Sequence, residues 1–167
     1  MKHFITGISM VVALFFSATS FATENFPGVG CEKILTSGNA EYNRDGSIQN
    51  SGNTPFEVTC LVPHTDFNGT FHTGAIEQAH VFVYDGNAEA SNADIWCEVL
   101  SYSMYGNITL LGKSGRNSSK NIGAQTITLN AINKQDINSF YSLNCRLPRV
   151  DPAYKRKSLI YGYRIDQ

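Results

Sequence analysis

Residues 139–148 read Ser139-Phe140-Tyr141-Ser142-Leu143-Asn144-Cys145-Arg146-Leu147-Pro148, and this stretch decides the fold class. Tyr141, Leu143, Cys145 and Leu147 fall on one side of an extended chain, and Ser142, Asn144 and Arg146 on the other. A period of two is the signature of a half-buried β-strand. Pro148 ends the run because proline has no N–H to give a ladder. The pattern is echoed at Val58-Thr59-Cys60-Leu61-Val62-Pro63, again with a cysteine in mid-strand and a proline three residues later.

Working outward, similar runs occur at His80–Tyr84, Ile95–Met104, Asn107–Leu111, Gln125–Leu129 and Ser158–Ile165, broken by Gly, Asn, Asp and Ser. Asp45-Gly46 is a tight-turn pair that places one or two weaker strands near residues 40–50. Thr23 to Gly30 reads as a loose lead. No window of ten residues carries a helical apolar stripe. Many short strands with turn residues between them predict an all-β fold: one mostly antiparallel β-sandwich of about eight or nine strands.

Residues 1–22, MKHFITGISMVVALFFSATSFA, have a basic start, an apolar run and small residues before Thr23, which is the signal-peptide pattern. The expected organisation is therefore a signal peptide at 1–22 and a single domain at 23–167, secreted or periplasmic. No second run long enough to span a bilayer follows. The whole chain has 13 Lys+Arg against 14 Asp+Glu, a formal charge of −1, so it has no global field to draw nucleic acid. With 42% hydrophobic and 16% charged residues it is neither a disordered chain nor an integral membrane protein.

Cys31, Cys60, Cys97 and Cys145 make an even count in an exported chain, which favours two disulfides. No pair has the close spacing of a zinc site. Of the three possible pairings, Cys31–Cys60 with Cys97–Cys145 is expected. Cys97 and Cys145 both sit in alternating apolar runs, and Cys60 is the partner nearest to Cys31. The competitor is Cys60–Cys145 with Cys31–Cys97, suggested by the echo between the two strands.

The order Cys31, Tyr42…Gly46…Asn50-Ser51-Gly52, Val58-x-Cys60-x-x-Pro63, Val81-Phe82-Val83-Tyr84-Asp85, Trp96-Cys97-Glu98-Val99, Gly123-Ala124-Gln125-Thr126-Ile127, Tyr141-Ser142-Leu143-x-Cys145-x-Leu147-Pro148 and Ile160-x-x-Tyr163 resembles a group of small exported bacterial β-sandwich proteins. These share the four cysteines and the Cys-x-x-Pro strand end, and they are uncharacterised. The resemblance implies the fold and bacterial export. It carries over no functional residue. The polar segment Thr65 to Gln78 is longer than the group's pattern implies.

Candidate chemistry is sparse. His64, His72 and His80, with Asp66, lie in one polar segment, but their spacing matches no compact metal motif. Asp85, Asn87 and Glu89, in the loop Asp85–Asp94, have the alternation of a calcium loop. The sixth and twelfth positions, Ala90 and Trp96, are wrong for an EF-hand. Tyr102 and Tyr105 flank a turn and could offer rings to a sugar or a protein. Trp96, beside Cys97, is expected to pack in the core near a disulfide. The cationic stretch Arg146–Lys157 is expected to be a solvated connection. There is no nucleophile elbow. The reading is an exported, non-catalytic protein with no cofactor and no bound metal, acting through surface contacts with an envelope or extracellular partner, protein or glycan. The alternative is a carbohydrate-binding module using Tyr102, Tyr105 and the Asp85–Asp94 loop, with Asp85, Asn87 and Glu89 as the candidate ligand-binding residues of that loop. A second alternative is a metal-dependent hydrolase at His64–His80.

Overall fold

The computed structural model describes residues 23–34, 37–62, 76–87, 94–103, 109–132 and 139–166; the signal-peptide expectation for 1–22 lies outside them. Eleven strands are present among the described residues: β1 (Thr23–Pro27), β2 (Cys31–Lys33), β3 (Ala40–Tyr42), β4 (Ile48–Asn50), β5 (Phe56–Val62), β6 (Gln78–Asp85), β7 (Trp96–Ser103), β8 (Thr109–Asn117), β9 (Gly123–Leu129), β10 (Ser139–Leu147) and β11 (Leu159–Asp166). They form two sheets with every pairing antiparallel. The back sheet runs β3-β4-β11-β6-β9, with β1 also on β11; the front sheet runs β2-β5-β10-β7-β8.

The alternation read from the sequence sets which residues lie between the sheets. In β5 the buried residues are Phe56, Val58, Cys60 and Val62; in β10 they are Tyr141, Leu143, Cys145 and Leu147. Val81, Val83, Ile127, Ile160 and Ile165 answer them from the back sheet, all within 2% of full burial. Each such side chain contributes about 1.5–3 kcal/mol by leaving water. Polar ties cross the gap as well: the Tyr163 hydroxyl donates to the Leu61 carbonyl at 2.8 Å. Burial pushes this phenol up to about 12, so it remains a donor at neutral pH.

Both disulfides take the expected pairing, Cys31–Cys60 and Cys97–Cys145. Register explains the choice. Cys60 lies opposite Cys31 across β2 and β5, and Cys97 opposite Cys145 across β7 and β10. The two strands that echo each other, β5 and β10, are neighbours, but their register sets Cys60 against Leu143 and Cys145 against Val58. Cys60 and Cys145 are thus diagonal, and each turns to its other neighbour; Cys31 and Cys97 stand on β2 and β7, with two strands between them. Both bridges lie within the front sheet; neither joins the two sheets.

The amino-terminal segment departs from expectation. Thr23–Pro27 is not a loose lead but β1, paired with the carboxyl-terminal half of β11 from Thr23↔Asp166 to Pro27↔Gly162. β4 occupies only Leu159 and Ile160 on that side of β11, which leaves an open edge for a second strand to complete. Phe26 fixes it there by stacking on Tyr163, with ring centroids 5.0 Å apart. The chain then turns inward at Gly28, where a side chain would run into the Ile160 carbonyl. The Asp45-Gly46 turn forms as read, with Gly46 at φ +86° and the Asp45 carboxylate accepting from the Ser47 N–H at 3.0 Å.

The cationic stretch splits into parts. Asp151 closes a turn by accepting from the Ala153 N–H at 2.7 Å, Arg156 lies over the exposed ring of Tyr154, and Lys157 bonds Glu41 at 2.8 Å. The Lys157 bond holds the Glu41 carboxyl below the usual carboxylate range.

Candidate functional site

The outward residues of the front sheet assemble a cleft. Across β5, β10, β7 and β8 the register places Glu57, Arg146, Trp96 and Asn117 in one row. The next outward row is Thr59, Asn144, Glu98 and Gly115. Neighbouring strands are about 4.8 Å apart, so the four columns span a surface wide enough for a small ligand. A cavity of about 460 Å³ opens over these rows, lined by Glu57, Asp94, Trp96, Glu98, Asn144 and Arg146, with Pro148 also in its wall.

Trp96 is the apolar element of the cleft and is 37% exposed, which corrects the expectation that it packs into the core. Strand alternation is the reason. Cys97 takes the inward position, so its neighbour must point out. The indole leans diagonally onto β8, where a methyl group at Gly115 would stand 2.8 Å from Cη2 and closer still to Cζ2. Glycine inside a strand often marks such a close approach. Substituting Gly115→Ala is expected to lift the ring into solvent. The emission of the chain's single tryptophan should then move to longer wavelength, at a cost of about 1 kcal/mol in stability. An unchanged spectrum would mean that Gly115 does not seat the ring.

Polar groups around the indole are held in place. Asn144 accepts from the Ser142 hydroxyl at 2.8 Å, and Ser142 in turn meets Thr59 at 2.9 Å. The Asn144 Nδ2 donor is not used by another described residue. Pro148 is anchored by the buried Asn50, whose Nδ2 donates to the Pro148 and Thr54 carbonyls, each at 2.8 Å. The wall of the cleft therefore rests on a side chain from the other sheet.

Of the sequence-derived candidates, Asp94 at the end of the Asp85–Asp94 loop lines the cleft, while Tyr102, Asp85 and His80 lie elsewhere. Tyr102 is on the same outer face, six positions along β7 from Trp96, stacked on Phe140 at 5.3 Å between centroids. Tyr105 and Glu89 lie outside the described residues, as do His64 and His72. Asp85 and Asn87 are corrections: both are buried, Asp85 completely. Asp85 is the last residue of β6, and alternation turns it inward. Its carboxylate accepts from Ser118 Oγ at 2.5 Å, from the Asn87 N–H at 3.1 Å and from Ser158 Oγ at 3.4 Å. Ser118 also accepts from the Ile95 N–H at 2.9 Å, and Ser158 from the Gly86 N–H at 3.1 Å. This carboxylate locks strand ends together and is not offered to a calcium ion. Tyr102 and Asp85 do not share a site, since Ile95 and Ser118 place the Asp85 network at the opposite end of β7.

His80, on the outer face of the back sheet, uses both ring nitrogens: Nδ1 with Thr128 Oγ1 at 3.2 Å and Nε2 with Asp166 at 3.1 Å. Asp166 also pairs with Arg164. Among the described residues, no group of three or more His, Cys, Asp or Glu is placed to hold a metal ion.

Sequence reasoning missed Glu57, Asn144 and Arg146 because each is an ordinary outward polar residue on its own strand. Only pairing register brings them to one indole. The legible signal was the outward phase of Trp96 and Glu98, together with a glycine, Gly115, in mid-strand.

No family model matches the chain, and no curated protein matches it in sequence. Solved structures are similar to it in fold only. The low-affinity xylan-binding module CBM86 from Roseburia intestinalis is similar at a TM-score of 0.49 and 9% identity, over 87% of this chain and 96% of that one. The xylan-binding module CBM15 gives 0.48 and 12%, over 87% and 96%. A family 11 carbohydrate-binding module from Clostridium thermocellum gives 0.43 and 11%, over 92% of each chain. All three are likenesses of fold.

Proposed function

We propose that this protein is a non-catalytic carbohydrate-binding module of the cell envelope or exterior, and that the Trp96 cleft is its site. The observation that carries the reading is a half-exposed indole in a cavity whose polar lining is three carboxylates, two amides and a guanidinium. A sugar ring has an apolar C–H face and an equatorial rim of hydroxyls. An indole stacks on the first, and bidentate polar side chains bond the second. Rigid strands hold all these groups, so little ordering is needed when a ligand arrives. Two disulfides suit an oxidising compartment, and no helix among the described residues is long and apolar enough to cross a membrane.

This site overlaps the one expected from sequence only at Asp94 of the Asp85–Asp94 loop: Trp96, Glu57, Glu98, Asn144 and Arg146 supply the other polar and stacking groups, and Tyr102 remains an outlying ring. The test is affinity electrophoresis of residues 23–167 through gels holding different polysaccharides, with Trp96→Ala beside the parent. At least one polysaccharide is expected to retard the parent. Trp96→Ala should lose about 2 kcal/mol, roughly 30-fold in affinity, as a central aromatic anchor does. A melting temperature kept near the parent's shows that the variant is folded. Retardation that Trp96→Ala leaves intact would move the site elsewhere, and no retardation by any polysaccharide would leave a protein partner as the better reading.

A further inference from the structure

We infer that the cleft selects a cationic sugar: a glycan carrying free, protonated amino groups, in preference to the same glycan N-acetylated and against one carrying uronates. The inference rests on the glycan reading of the Trp96 cleft and names its ligand class. Three carboxylates, Glu57, Asp94 and Glu98, line the cavity against one guanidinium, Arg146. The ion pairs among the described residues are His80–Asp166, Arg164–Asp166 and Lys157–Glu41, so none of the three carboxylates is neutralised by a described partner. The whole chain carries a formal charge of only −1, so the excess of two negative charges in the cleft is local and not part of a general acidity. The indole acts in the same sense. The face of tryptophan attracts a cation and is the strongest of the aromatic side chains in doing so. An ammonium substituent on a ring stacked over Trp96 would meet the π face below and the Glu98 carboxylate two residues along the same strand, within a cleft that Glu57 and Asp94 also line. A uronate in that place would meet like charge at contact range. Arg146 and Asn144, on the central strand β10, are left to bond neutral hydroxyls.

The measurement is titration calorimetry of residues 23–167 with glucosamine oligomers, N-acetylglucosamine oligomers and oligogalacturonate of matched length, at low and high salt. The parent, Glu57→Gln/Glu98→Gln and Trp96→Ala are compared. The amino oligomer is expected to bind roughly 10-fold tighter than the acetylated one at low salt, the sum of several exposed charge pairs. That ratio should shrink at high salt because such pairs are screened. The double glutamine variant should lose the preference, read as the ratio of its two affinities, and Trp96→Ala should weaken both. If the double variant fails to fold, the salt dependence of the parent decides. Equal affinity for the two oligomers, or tighter binding of the uronate, would overturn the charge selection and leave glycan binding standing. No binding of any oligomer by the folded parent would overturn the inference here, and the polysaccharide gels then tell whether glycan binding survives.

Discussion

Reducing both disulfides is expected to bring the protein close to unfolding at room temperature. Cys31–Cys60 and Cys97–Cys145 close loops with sequence separations of 29 and 48. In the chain-entropy account each removes roughly 4 kcal/mol of unfolded-state freedom. A domain of this size has a total stability on the order of 10 kcal/mol, so little would remain. The two bridges are not equal. Cys97–Cys145 joins β7 and β10, interior strands of the front sheet, whereas Cys31–Cys60 ties down the three-residue edge strand β2. Cys97→Ala with Cys145→Ala should therefore cost more than Cys31→Ala with Cys60→Ala, because it frees the longer loop and leaves space in the middle of a sheet. The latter pair should mainly release β2. Urea unfolding of the parent, the reduced parent and the two double variants measures both claims. Equal midpoints for oxidised and reduced protein would show that the bridges contribute nothing net.

Asp85→Ala should lose about 4 kcal/mol, within the range for removing one partner from a buried charged network. The carboxylate is fully buried and receives the Ser118 and Ser158 hydroxyls and the Asn87 N–H. Those hydroxyls hold the N–H groups of Ile95 and Gly86 in turn. Removing the carboxylate leaves three donors without their acceptor in a site closed to water, and each such orphan costs about 1–3 kcal/mol. Ser118→Ala should lose less, because Asp85 keeps two donors. Calcium is expected to leave the melting temperature of the parent unchanged, since the Asp85 oxygens are already engaged. A calcium-dependent rise abolished by Asp85→Ala would restore the loop as a cation site. A stable Asp85→Ala protein would mean that the network is dispensable.

Much of the architecture was legible in the chain because it depends on local period. Alternation in Phe56–Val62, Gln125–Leu129 and Phe140–Leu147 states that these are strands and which residues turn inward. Pro148 and Asp45-Gly46 state where strands stop. The disulfide pairing was half legible. Strand phase shows that Cys60, Cys97 and Cys145 all face inward, but only register shows which of them lie opposite one another. The lead Thr23–Gly30 was misread for a related reason. Nothing in Thr-Glu-Asn-Phe-Pro announces a strand, and it becomes one because β4 leaves part of the β11 edge open.

Side-chain period along the chain was enough to set the all-β class, the inward face of each long strand and the presence of an even set of buried cysteines. These follow from side-chain period and from residue types that act within a few positions of themselves. The tertiary structure alone decided the cleft. Glu57, Trp96, Asn117 and Arg146 come from four strands, and no local rule relates them. A shift of one residue in any pairing would turn one of them into the core. It likewise decided that Asp85, in an Asn- and Asp-rich stretch that reads as a ligand loop, ends β6 on the inward phase and serves as the acceptor for two distant serines. Register and sheet order are long-range quantities fixed by the packing of the whole sandwich, and the groups placed by them are invisible until the strands are paired.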